Sequence, residues 1–367
     1  MDPSSDHQHM AHALRLAARG LETAHPNPRV GCVLVRDGEV VGEGFHARTG
    51  GAHAEVLALT AAGERARGAT AYVTLEPCDH YGRTPPCSAA LLEAGVAAVV
   101  APFDDPNPKV AGAGFARLEH AGVTVRRGVL AREAAALNEG FIKRMRVGRP
   151  LVRVKLGLSL DGRSALANGE SRWITGPEAR ADGQRLRARS GAILTGIGTV
   201  LDDDPQLTVR DADERPRAEQ PLRVVLDSRL RLPADARLLA QPGRTLVLTT
   251  ALDPHHASEL SEAHAEVHAL PGEQGRVALG AVLDELGRRE VNELLVEAGP
   301  TLSGAFVAQG LADELVIYLA PLLLGDAARG AFALPALPGI AAAPQLEVRE
   351  LRAIGRDWRI VARPVAA

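Results

Sequence analysis

The chain has 367 residues, of which 46% are hydrophobic and 24% are charged, and its formal net charge at pH 7 is −3. This composition is typical of globular proteins and excludes a disordered chain, and the length favours two domains over one. No apolar run approaches the roughly 18 residues of a membrane span. The negative net charge argues against strong sequence-independent nucleic-acid binding, which needs many cations to neutralise phosphates.

The N-terminal sequence and the cysteine count indicate the compartment. The first residues, MDPSSDHQHM, lack a basic segment followed by an apolar one, so we expect no secretory signal and a soluble, cytoplasmic protein. Three cysteines are too few for a disulfide framework in a chain of this length. In a reducing compartment they indicate metal binding or catalysis for some of them.

Helices and strands alternate along the first half of the chain, which predicts a sheet covered on both faces. The sequence Asp37-Gly38 predicts a hairpin turn between the first two strands. The pattern predicts a first helix that ends near residue 20 and four further helices over 53–62, 86–94, 113–120 and 131–145. It predicts strands over 30–35, 39–45, 71–75, 96–101 and 123–125.

The pattern stops at Val147-Gly148-Arg149-Pro150, which predicts a boundary between a domain of residues 1–148 and a domain of residues 149–367. Segment 210–220 is charged and turn-rich and is predicted to be a loop. In the second domain we predict strands over 151–158, 192–195, 222–226, 245–249, 293–296, 314–318, 346–353 and 358–362, and helices over 177–188, 277–288 and 300–309.

One histidine and two cysteines at element boundaries predict a metal site. His53-Ala54-Glu55 opens a predicted helix, and Pro77-Cys78 and Pro86-Cys87 follow a predicted strand. One imidazole, two thiolates and an open fourth position describe a catalytic zinc, which makes water a nucleophile near neutral pH. Glu55 is then the expected general acid/base, taking the water proton and passing it to a departing amine.

An alternative interpretation is that His53 caps a helix and that Cys78 and Cys87 are small buried side chains. The coincidence of His-Ala-Glu with two Pro-Cys pairs, in a chain of three cysteines, argues against it. Cys32 lies within the apolar run VGCVLV and is interpreted as core. His80 is interpreted as a substrate contact or a loop residue rather than a metal ligand.

Three glycine-containing turns follow predicted strands in the second half. They are Leu160-Asp161-Gly162, a tight turn; Gly196-Ile197-Gly198-Thr199-Val200; and the segment Glu297 to Ala305. The third is a strand, a glycine turn and a helix start, which offers unpaired amides and a positive dipole to an anionic cofactor. It lacks the G-x-G-x-x-G pattern, so it does not require a Rossmann fold.

Several segments resemble one known family, the bifunctional riboflavin-biosynthesis deaminases and reductases, and the similarity covers nearly the whole chain. In the first half they are HPNPRVGCVLV, GAHAEVLAL, TAYVTLEPCDHYGRTPPC and DPNPKVAGAG. In the second half they are KLGLSLDGR, SRWITG, TGIGTVLDDDPQLTVR, VLDS, VEAGPTLSGAF and DELVIYLAP. The nine-residue separation of Cys78 and Cys87 differs from the P-C-x-x-C of nucleoside and nucleic-acid deaminases.

The resemblance implies a cytidine-deaminase-like three-layer α/β/α domain followed by a dihydrofolate-reductase-like α/β domain, with zinc and NADPH as cofactors. Residues that it places at the pyrimidine or the ribose phosphate are Asn27, Ser171, Arg187, Asp203, Leu207, Arg210 and Glu297. Residues that it places at NADPH are Gly157, Trp173, Thr199, Ser228, Gly299, Pro300, Thr301, Leu302, Ser303, Gly304 and Ala305.

Some of these assignments have a structural alternative. Asn27 is equally suited to form the turn in HPNP, and Arg187 and Arg210 have the planar fork that grips phosphate but are also compatible with solvated surface positions. Lys155 is placed either to protonate the sugar oxygen or nitrogen as hydride arrives, or simply as a cation at a strand end. Asp202 adds a third consecutive acid, which leaves open which carboxylate meets the sugar.

The leading hypothesis is hydrolysis of the 2-amino group of 2,5-diamino-6-ribosylamino-4(3H)-pyrimidinone 5′-phosphate, then reduction of the ribosyl unit to ribityl with NADPH. It implies a small-molecule substrate, no nucleic-acid or membrane partner, and a homo-oligomer, either a dimer or a tetramer. One alternative is a nucleic-acid deaminase fused to a reductase-like module, against which the net charge and the cysteine spacing count. Another is a non-catalytic assembly protein, against which the intact His53, Glu55, Cys78 and Cys87 count.

Overall fold

The computed structural model describes residues 3–80 and 85–365, and it divides into two compact units, Met1–Arg149 and Pro150–Ala367. The boundary predicted after residue 148 lies one residue before this division. Among the described residues, none of the helices is both long enough and apolar enough to cross a membrane.

The first unit contains six α-helices and five strands in its described part, with a short 3₁₀ turn at Gly63–Ala66. In chain order they are α1 (Pro3–Ala18), β1 (Gly31–Arg36), β2 (Glu39–Phe45), α2 (Ala54–Ala62), β3 (Thr70–Val73), α3 (Cys87–Glu93), β4 (Ala98–Ala101), α4 (Ala113–His120), β5 (Thr124–Arg127), α5 (Ala131–Leu137) and α6 (Glu139–Val147).

The sheet of the first unit has the order β2-β1-β3-β4-β5, with β1 antiparallel to both neighbours and β3, β4 and β5 parallel. Alternate residues of β1 enter different cores, because successive strand side chains point to opposite faces. Cys32 and Leu34 pack with α2, α3 and α4, and Val33 and Val35 pack with α1. The predicted three-layer arrangement is therefore confirmed.

The predicted single helix over 131–145 is wrong, because the chain breaks it into α5 and α6 at Asn138. The side chain of Asn138 accepts a hydrogen bond from Arg29 N at 2.8 Å and donates one to Arg29 O at 2.9 Å. The Asn138 side chain thus pairs with the backbone of Arg29 as a neighbouring strand would. This pairing holds Asn138 at φ −115°, outside helical geometry. Helical periodicity on both sides of residue 138 conceals the break in the sequence.

The second unit has thirteen strands and five α-helices in its described part, with a 3₁₀ turn at Ile340–Ala342. In chain order they are β6 (Leu151–Ser159), β7 (Arg163–Ala165), α7 (Pro177–Arg189), β8 (Ala192–Gly196), α8 (Ile197–Asp203), β9 (Leu222–Leu226), β10 (Thr245–Thr249), α9 (Pro254–Glu262), β11 (Ala265–Ala269), β12 (Gly272–Glu273), β13 (Arg276–Val277), α10 (Leu279–Arg288), β14 (Glu293–Val296), α11 (Pro300–Ala308), β15 (Glu314–Ala320), β16 (Arg329–Gly330), β17 (Leu346–Ile354) and β18 (Asp357–Pro364).

Nine of these strands form one sheet in the order β11-β10-β9-β8-β14-β6-β15-β18-β17. The strands from β11 to β15 are parallel, and β18 and β17 extend the sheet as an antiparallel hairpin. Helices α10 and α11 pack on one face and α7, α8 and α9 on the other. The carboxyl ends of the parallel strands therefore lie along one edge, where open α/β sheets bind ligands.

Two helices of this unit were missed by the sequence analysis. Helix α9 starts with Asp253, whose side chain accepts from the His255 and His256 amides, and with Pro254 in the first turn. That capping signal was readable in the sequence. The turn predicted at Gly196 is instead the start of α8, which is only seven residues long and lacks a strong cap.

Candidate active sites

His53 is held at the start of α2 by close packing between that helix and β2. Gly44 and Gly42 of β2 face the helix closely. A Cβ on Gly44 would lie 2.6 Å from Ala54 O, and a Cβ on Gly42 would lie 2.3 Å from Ala58 O. Only glycine permits this approach. His53 precedes the first helical residue, so its imidazole projects from the helix N-terminus.

Cys78 and Cys87 bring their sulfur atoms to His53. The Nδ1 of His53 lies 3.2 Å from Cys87 Sγ and 3.6 Å from Cys78 Sγ, and the Cys87 amide donates to Cys78 Sγ at 3.4 Å. Cys78 follows β3 in an irregular segment, and Cys87 begins α3. Zinc bonds of about 2.0–2.3 Å in a tetrahedron place donors roughly 3.5 Å apart, so this donor set fits zinc in both chemistry and size.

The local hydrogen bonds favour thiolate at one of the two sulfurs. The pKa of Cys78 is lowered to about 4, mainly because the Cys87 thiol donates a hydrogen bond to it and His53 adds a second. The pKa of Cys87 is raised for the same reason, because its proton is held between the two sulfurs. These hydrogen bonds therefore favour a thiolate at Cys78, close to the Nδ1 of His53.

Glu55 is 3% exposed and lies beside this cluster. Burial raises its pKa to about 7, and the nearby Cys78 thiolate adds to the rise. Glu55 is on α2 two residues after His53, and it is not a member of the group of three donor atoms that lie within 4.8 Å of one another. Its carboxyl is therefore available for proton transfer.

His46, which was not predicted as a site residue, lies between Asn27 and the cluster of His53, Cys78 and Cys87. Asn27 Nδ2 is 3.0 Å from His46 Nε2, and His46 Nδ1 is 3.2 Å from Ala52 O. The His46 ring meets the His53 ring edge-on, with centroids 5.5 Å apart. His46 is 3% exposed although it follows β2 in an irregular segment. A histidine seven residues before the predicted ligand was the available signal.

A cavity of about 1450 Å³ opens at the carboxyl edge of the parallel strands in the second unit. Sixteen of the eighteen residues that were predicted in this unit line it: Lys155, Gly157, Ser171, Trp173, Arg187, Thr199, Asp203, Leu207, Arg210, Ser228, Glu297, Gly299, Pro300, Thr301, Leu302 and Ala305. Ser303 and Gly304 do not line it. They are buried on the inner face of α11, where a Cβ on Gly304 would lie 2.6 Å from Ala333 O.

Glu297 forms a charged group with Arg187 and Lys155 on the wall of this cavity. Arg187 Nε and Nη2 donate to the two carboxylate oxygens at 2.6 and 2.9 Å, and Lys155 Nζ lies 3.7 Å from Oε2. Burial alone would raise the pKa of Glu297, but Arg187 and Lys155 outweigh it and lower the pKa to about 2. The fork of Arg187, which was expected to hold phosphate, is bound by Glu297 and by Thr208 O.

The cavity is more cationic than the chain as a whole. Ten Lys or Arg residues and five Asp or Glu residues line its described wall, in a chain whose net charge is −3. Within residues 3–80 and 85–365, no ion pair involves Arg229, Arg237 or Arg276. Arg210 pairs with Glu214, and Arg329 pairs with Asp202 at 3.2 Å. The unpaired guanidiniums attract anionic ligands.

Both halves of the chain match known families. Residues 3–102 match the cytidine and deoxycytidylate deaminase zinc-binding region, and residues 150–360 match the RibD C-terminal domain. The riboflavin biosynthesis protein RibD of Escherichia coli is 52% identical over 361 residues, covering 96% of this chain and 97% of that protein. The chain belongs to the RibD family.

Other RibD proteins agree over the full length. RibD of Haemophilus influenzae is 48% identical over 371 residues, covering 98% of each chain. The structure of Acinetobacter baumannii RibD, form 1, has a TM-score of 0.93 at 44% identity and covers 100% of both chains. The structure of a diaminohydroxyphosphoribosylaminopyrimidine deaminase/5-amino-6-(5-phosphoribosylamino)uracil reductase from Thermotoga maritima has a TM-score of 0.86 at 33% identity and covers 99% of both.

Membership of the RibD family identifies the chain as a bifunctional enzyme of riboflavin biosynthesis. It combines a zinc-binding deaminase domain, which contains the His-Cys-Cys cluster, with a reductase domain that uses NADPH. The expected fold, the two activities and the two cofactors are confirmed. The His-Cys-Cys cluster lies in the RibD deaminase domain and the cationic cavity in the reductase domain.

Proposed function

We propose that the first unit hydrolyses the 2-amino group of 2,5-diamino-6-ribosylamino-4(3H)-pyrimidinone 5′-phosphate and that the second unit reduces the ribosyl unit of the product to ribityl. The observation that carries the proposal is the convergence of His53, Cys78 and Cys87 beside the buried Glu55. The Thermotoga maritima relative is a deaminase and reductase named for substrates of this class. The cationic cavity suits a phosphorylated sugar and a phosphorylated cofactor.

In the deaminase, His53 Nδ1 and the sulfurs of Cys78 and Cys87 would hold zinc. When bound, zinc supplies the Lewis acidity that makes water a nucleophile near neutral pH. Glu55 holds the proton that the attacking water loses and delivers it to the nitrogen that leaves as ammonia. The carboxyl group can do this because it is buried beside the cluster and is not itself one of the three donors.

Asn27 is proposed to contact the pyrimidine, and His46 positions it. The 3.0 Å contact between Asn27 Nδ2 and His46 Nε2 orients the amide, and the Ala52 carbonyl orients the imidazole in turn. Because an amide offers one acceptor and two donors, Asn27 retains groups for the edge of a heterocycle while it contacts His46. His46 therefore acts through Asn27.

In the reductase, NADPH supplies the hydride when it is bound. Glu297 holds Lys155 close to the cavity, and Arg187 holds the Glu297 carboxylate in a fixed orientation through two hydrogen bonds. Lys155 is thus placed to give a proton to the sugar oxygen or nitrogen as the adjacent carbon is reduced. We propose Ser171, Asp203, Leu207 and Arg210 as further substrate contacts, all of which line the cavity.

We propose that NADPH lies along the carboxyl edge of the sheet. Gly157 follows Lys155 on β6, Trp173 also lines the cavity, Thr199 and the Gly299 turn lie at helix starts, and Ser228 lies beyond the end of β9. The adenosine then reaches Ser228. The Ser228 hydroxyl accepts from Val277 N at 3.0 Å, which brings the chain neighbours Arg229 and Arg276 to the same end of the cavity. These two guanidiniums suit the 2′-phosphate that distinguishes NADPH from NADH.

A second copy of the chain is the proposed partner, and the cytoplasm the proposed location. The hairpin of β17 and β18 ends the large sheet and leaves Val348, Leu351 and Trp358 exposed by 58%, 63% and 47%. An exposed edge strand with apolar side chains favours association with another chain. Pairing two such hairpins would cover both edges at once.

The direct test supplies the zinc-loaded protein with the proposed pyrimidine and NADPH. Ammonia release reports the first reaction, and the loss of NADPH absorbance at its near-ultraviolet maximum reports the second. The expected result is ammonia release without NADPH, followed by NADPH oxidation when the cofactor is added. Neither signal with zinc-loaded protein would refute the substrate assignment.

A further inference from the structure

The buried carboxylate of Glu76 lies two residues before Cys78 and has no role in the chemistry above. It is 3% exposed and accepts four backbone hydrogen bonds. Oε2 accepts from Asp105 N at 2.7 Å and Gly112 N at 2.9 Å, and Oε1 accepts from Gly114 N at 2.9 Å and Phe115 N at 3.2 Å. One side chain thus organises the segment 105–115, which includes the whole DPNPKVAGAG motif and the start of α4.

The segment is pressed directly against the residue between Glu76 and Cys78. A Cβ on Gly114 would lie 1.9 Å from Pro77 O, a distance that no side chain can occupy. On the other side of Cys78, Arg117 of α4 donates to Asp79 Oδ1 at 2.9 Å, and Asp79 also accepts from Ser88, the neighbour of Cys87. Residues on both sides of Cys78 are therefore attached to α4.

Cys78 needs this support more than the other two candidate ligands do. Cys87 begins α3 and His53 directly precedes α2, so a helix fixes each of them, whereas Cys78 lies in irregular chain after β3. A ligand on an irregular segment gains precision from the hydrogen bonds of its neighbours, and losing such support typically weakens metal binding about 10- to 100-fold. The buried carboxylate on that segment is Glu76, which fixes it from the N-terminal side of Cys78.

We propose that Glu76 is a positioning residue for the zinc site. Its carboxylate fixes the Cys78 segment against α4 and so keeps Cys78 Sγ within reach of His53 Nδ1 and Cys87 Sγ. This inference rests on the proposed zinc role of the three residues. A carboxylate is required because both oxygens must accept two hydrogen bonds each; a carboxamide of the same shape would direct its own N–H groups at two backbone donors.

The test is Glu76→Gln in the full-length protein, with zinc affinity measured by competition with a chromogenic chelator. We expect zinc to bind about 10- to 100-fold more weakly. The visible absorption of the cobalt-substituted protein should shift or weaken, because it reports the thiolate ligands and their geometry. At saturating zinc, kcat for deamination should fall, while NADPH oxidation with already deaminated substrate should stay unchanged.

Asp6→Asn is the matched control. Asp6 is also a buried carboxylate of the first unit, accepting from Tyr72 Oη at 2.7 Å and from Arg126, but it belongs to α1 on the opposite face of the sheet. Its loss should lower the melting temperature without changing zinc affinity or the cobalt spectrum. If Glu76→Gln behaves like Asp6→Asn in all three measurements, Glu76 only stabilises the fold and the proposal is wrong.

Gly114→Ala provides a second route if Glu76→Gln does not fold. The added methyl group must displace Pro77, while the Glu76 carboxylate and all other carboxylates remain. We expect zinc binding to weaken as in Glu76→Gln. Unchanged zinc affinity in a folded Gly114→Ala protein would overturn the proposal.

The zinc content of the wild-type protein separates this inference from the proposed function itself. Wild-type protein that does not bind about one zinc per chain would refute the zinc site, whereas normal wild-type binding with an unaffected variant would refute only the role of Glu76.

Discussion

Arg187 and Glu297 face each other in the reductase cavity as a two-pronged ion pair, with Nε to Oε1 at 2.6 Å and Nη2 to Oε2 at 2.9 Å. Lys155 shares the same carboxylate from 3.7 Å. Two cations therefore depend on one anion, so the charge state of Glu297 decides both how Lys155 is held and how stable this wall of the cavity is.

We predict that Glu297→Gln destabilises the second unit by about 3 kcal/mol at pH 7, because it leaves two partly buried cations without their partner. The folded pKa of about 2 lies below the ordinary value of 4.5. Because the unfolded chain takes up the proton first as pH falls, the contribution of Glu297 is complete above about pH 5 and is lost as the pH approaches 2. The difference between the melting temperatures of the two proteins should therefore shrink as the pH falls from about 5 toward 2; a constant difference over this range would contradict the ion-pair explanation.

We predict that Glu55→Gln lowers deamination by about 10²- to 10⁴-fold, because the general acid/base is removed while the three candidate zinc ligands remain. Zinc content, measured by elemental analysis, and NADPH oxidation with deaminated substrate should match the wild type. Glu64→Gln, at an exposed position shortly after α2, is the control and should deaminate normally. Loss of both reactions in Glu55→Gln would show that the two activities are not separable.

We predict that Arg229→Ala and Arg276→Ala each weaken NADPH binding by about 10- to 100-fold and leave NADH binding nearly unchanged. Each removes a charge-assisted contact, worth about 1.5–3 kcal/mol, to the 2′-phosphate that NADH lacks. Nucleotide fluorescence titration of both cofactors gives the two dissociation constants. Arg349→Ala, an exposed arginine of β17 outside the cavity wall, is the control. Equal weakening of NADPH and NADH would place these arginines elsewhere along the cofactor.

We predict that Leu351→Glu converts an oligomer into monomers, because it places a charge on the exposed apolar edge hairpin at a residue that is 63% exposed. Light scattering coupled to size-exclusion chromatography measures the mass against that of the 38.6 kDa chain. Leu252→Glu, the control, changes a leucine that is similarly exposed, at 57%, but lies after β10. A wild-type protein that is already monomeric would refute the proposed oligomer, and an oligomeric Leu351→Glu protein would move the interface away from this hairpin.

Local patterns were sufficient for most of the architecture. Strands such as β9, β10 and β14 were predicted to the residue, because apolar runs with turns on both sides have one compatible structure. The single helix over 131–145 failed because Asn138 pairs with Arg29, a contact between residues 109 positions apart. No local pattern records such a partner.

The sequence by itself determined the chemistry available to this protein: the donor types and motif order point to zinc, to an acid/base carboxyl and to two family-specific halves. Only the tertiary structure decided which groups meet. It paired Arg187 with Glu297, turned Ser303 and Gly304 away from the cavity, and brought His46 to Asn27 and Glu76 to the amides of α4. The physical reason is that a residue's type sets which bonds it can form, whereas chain packing sets which partner is within reach.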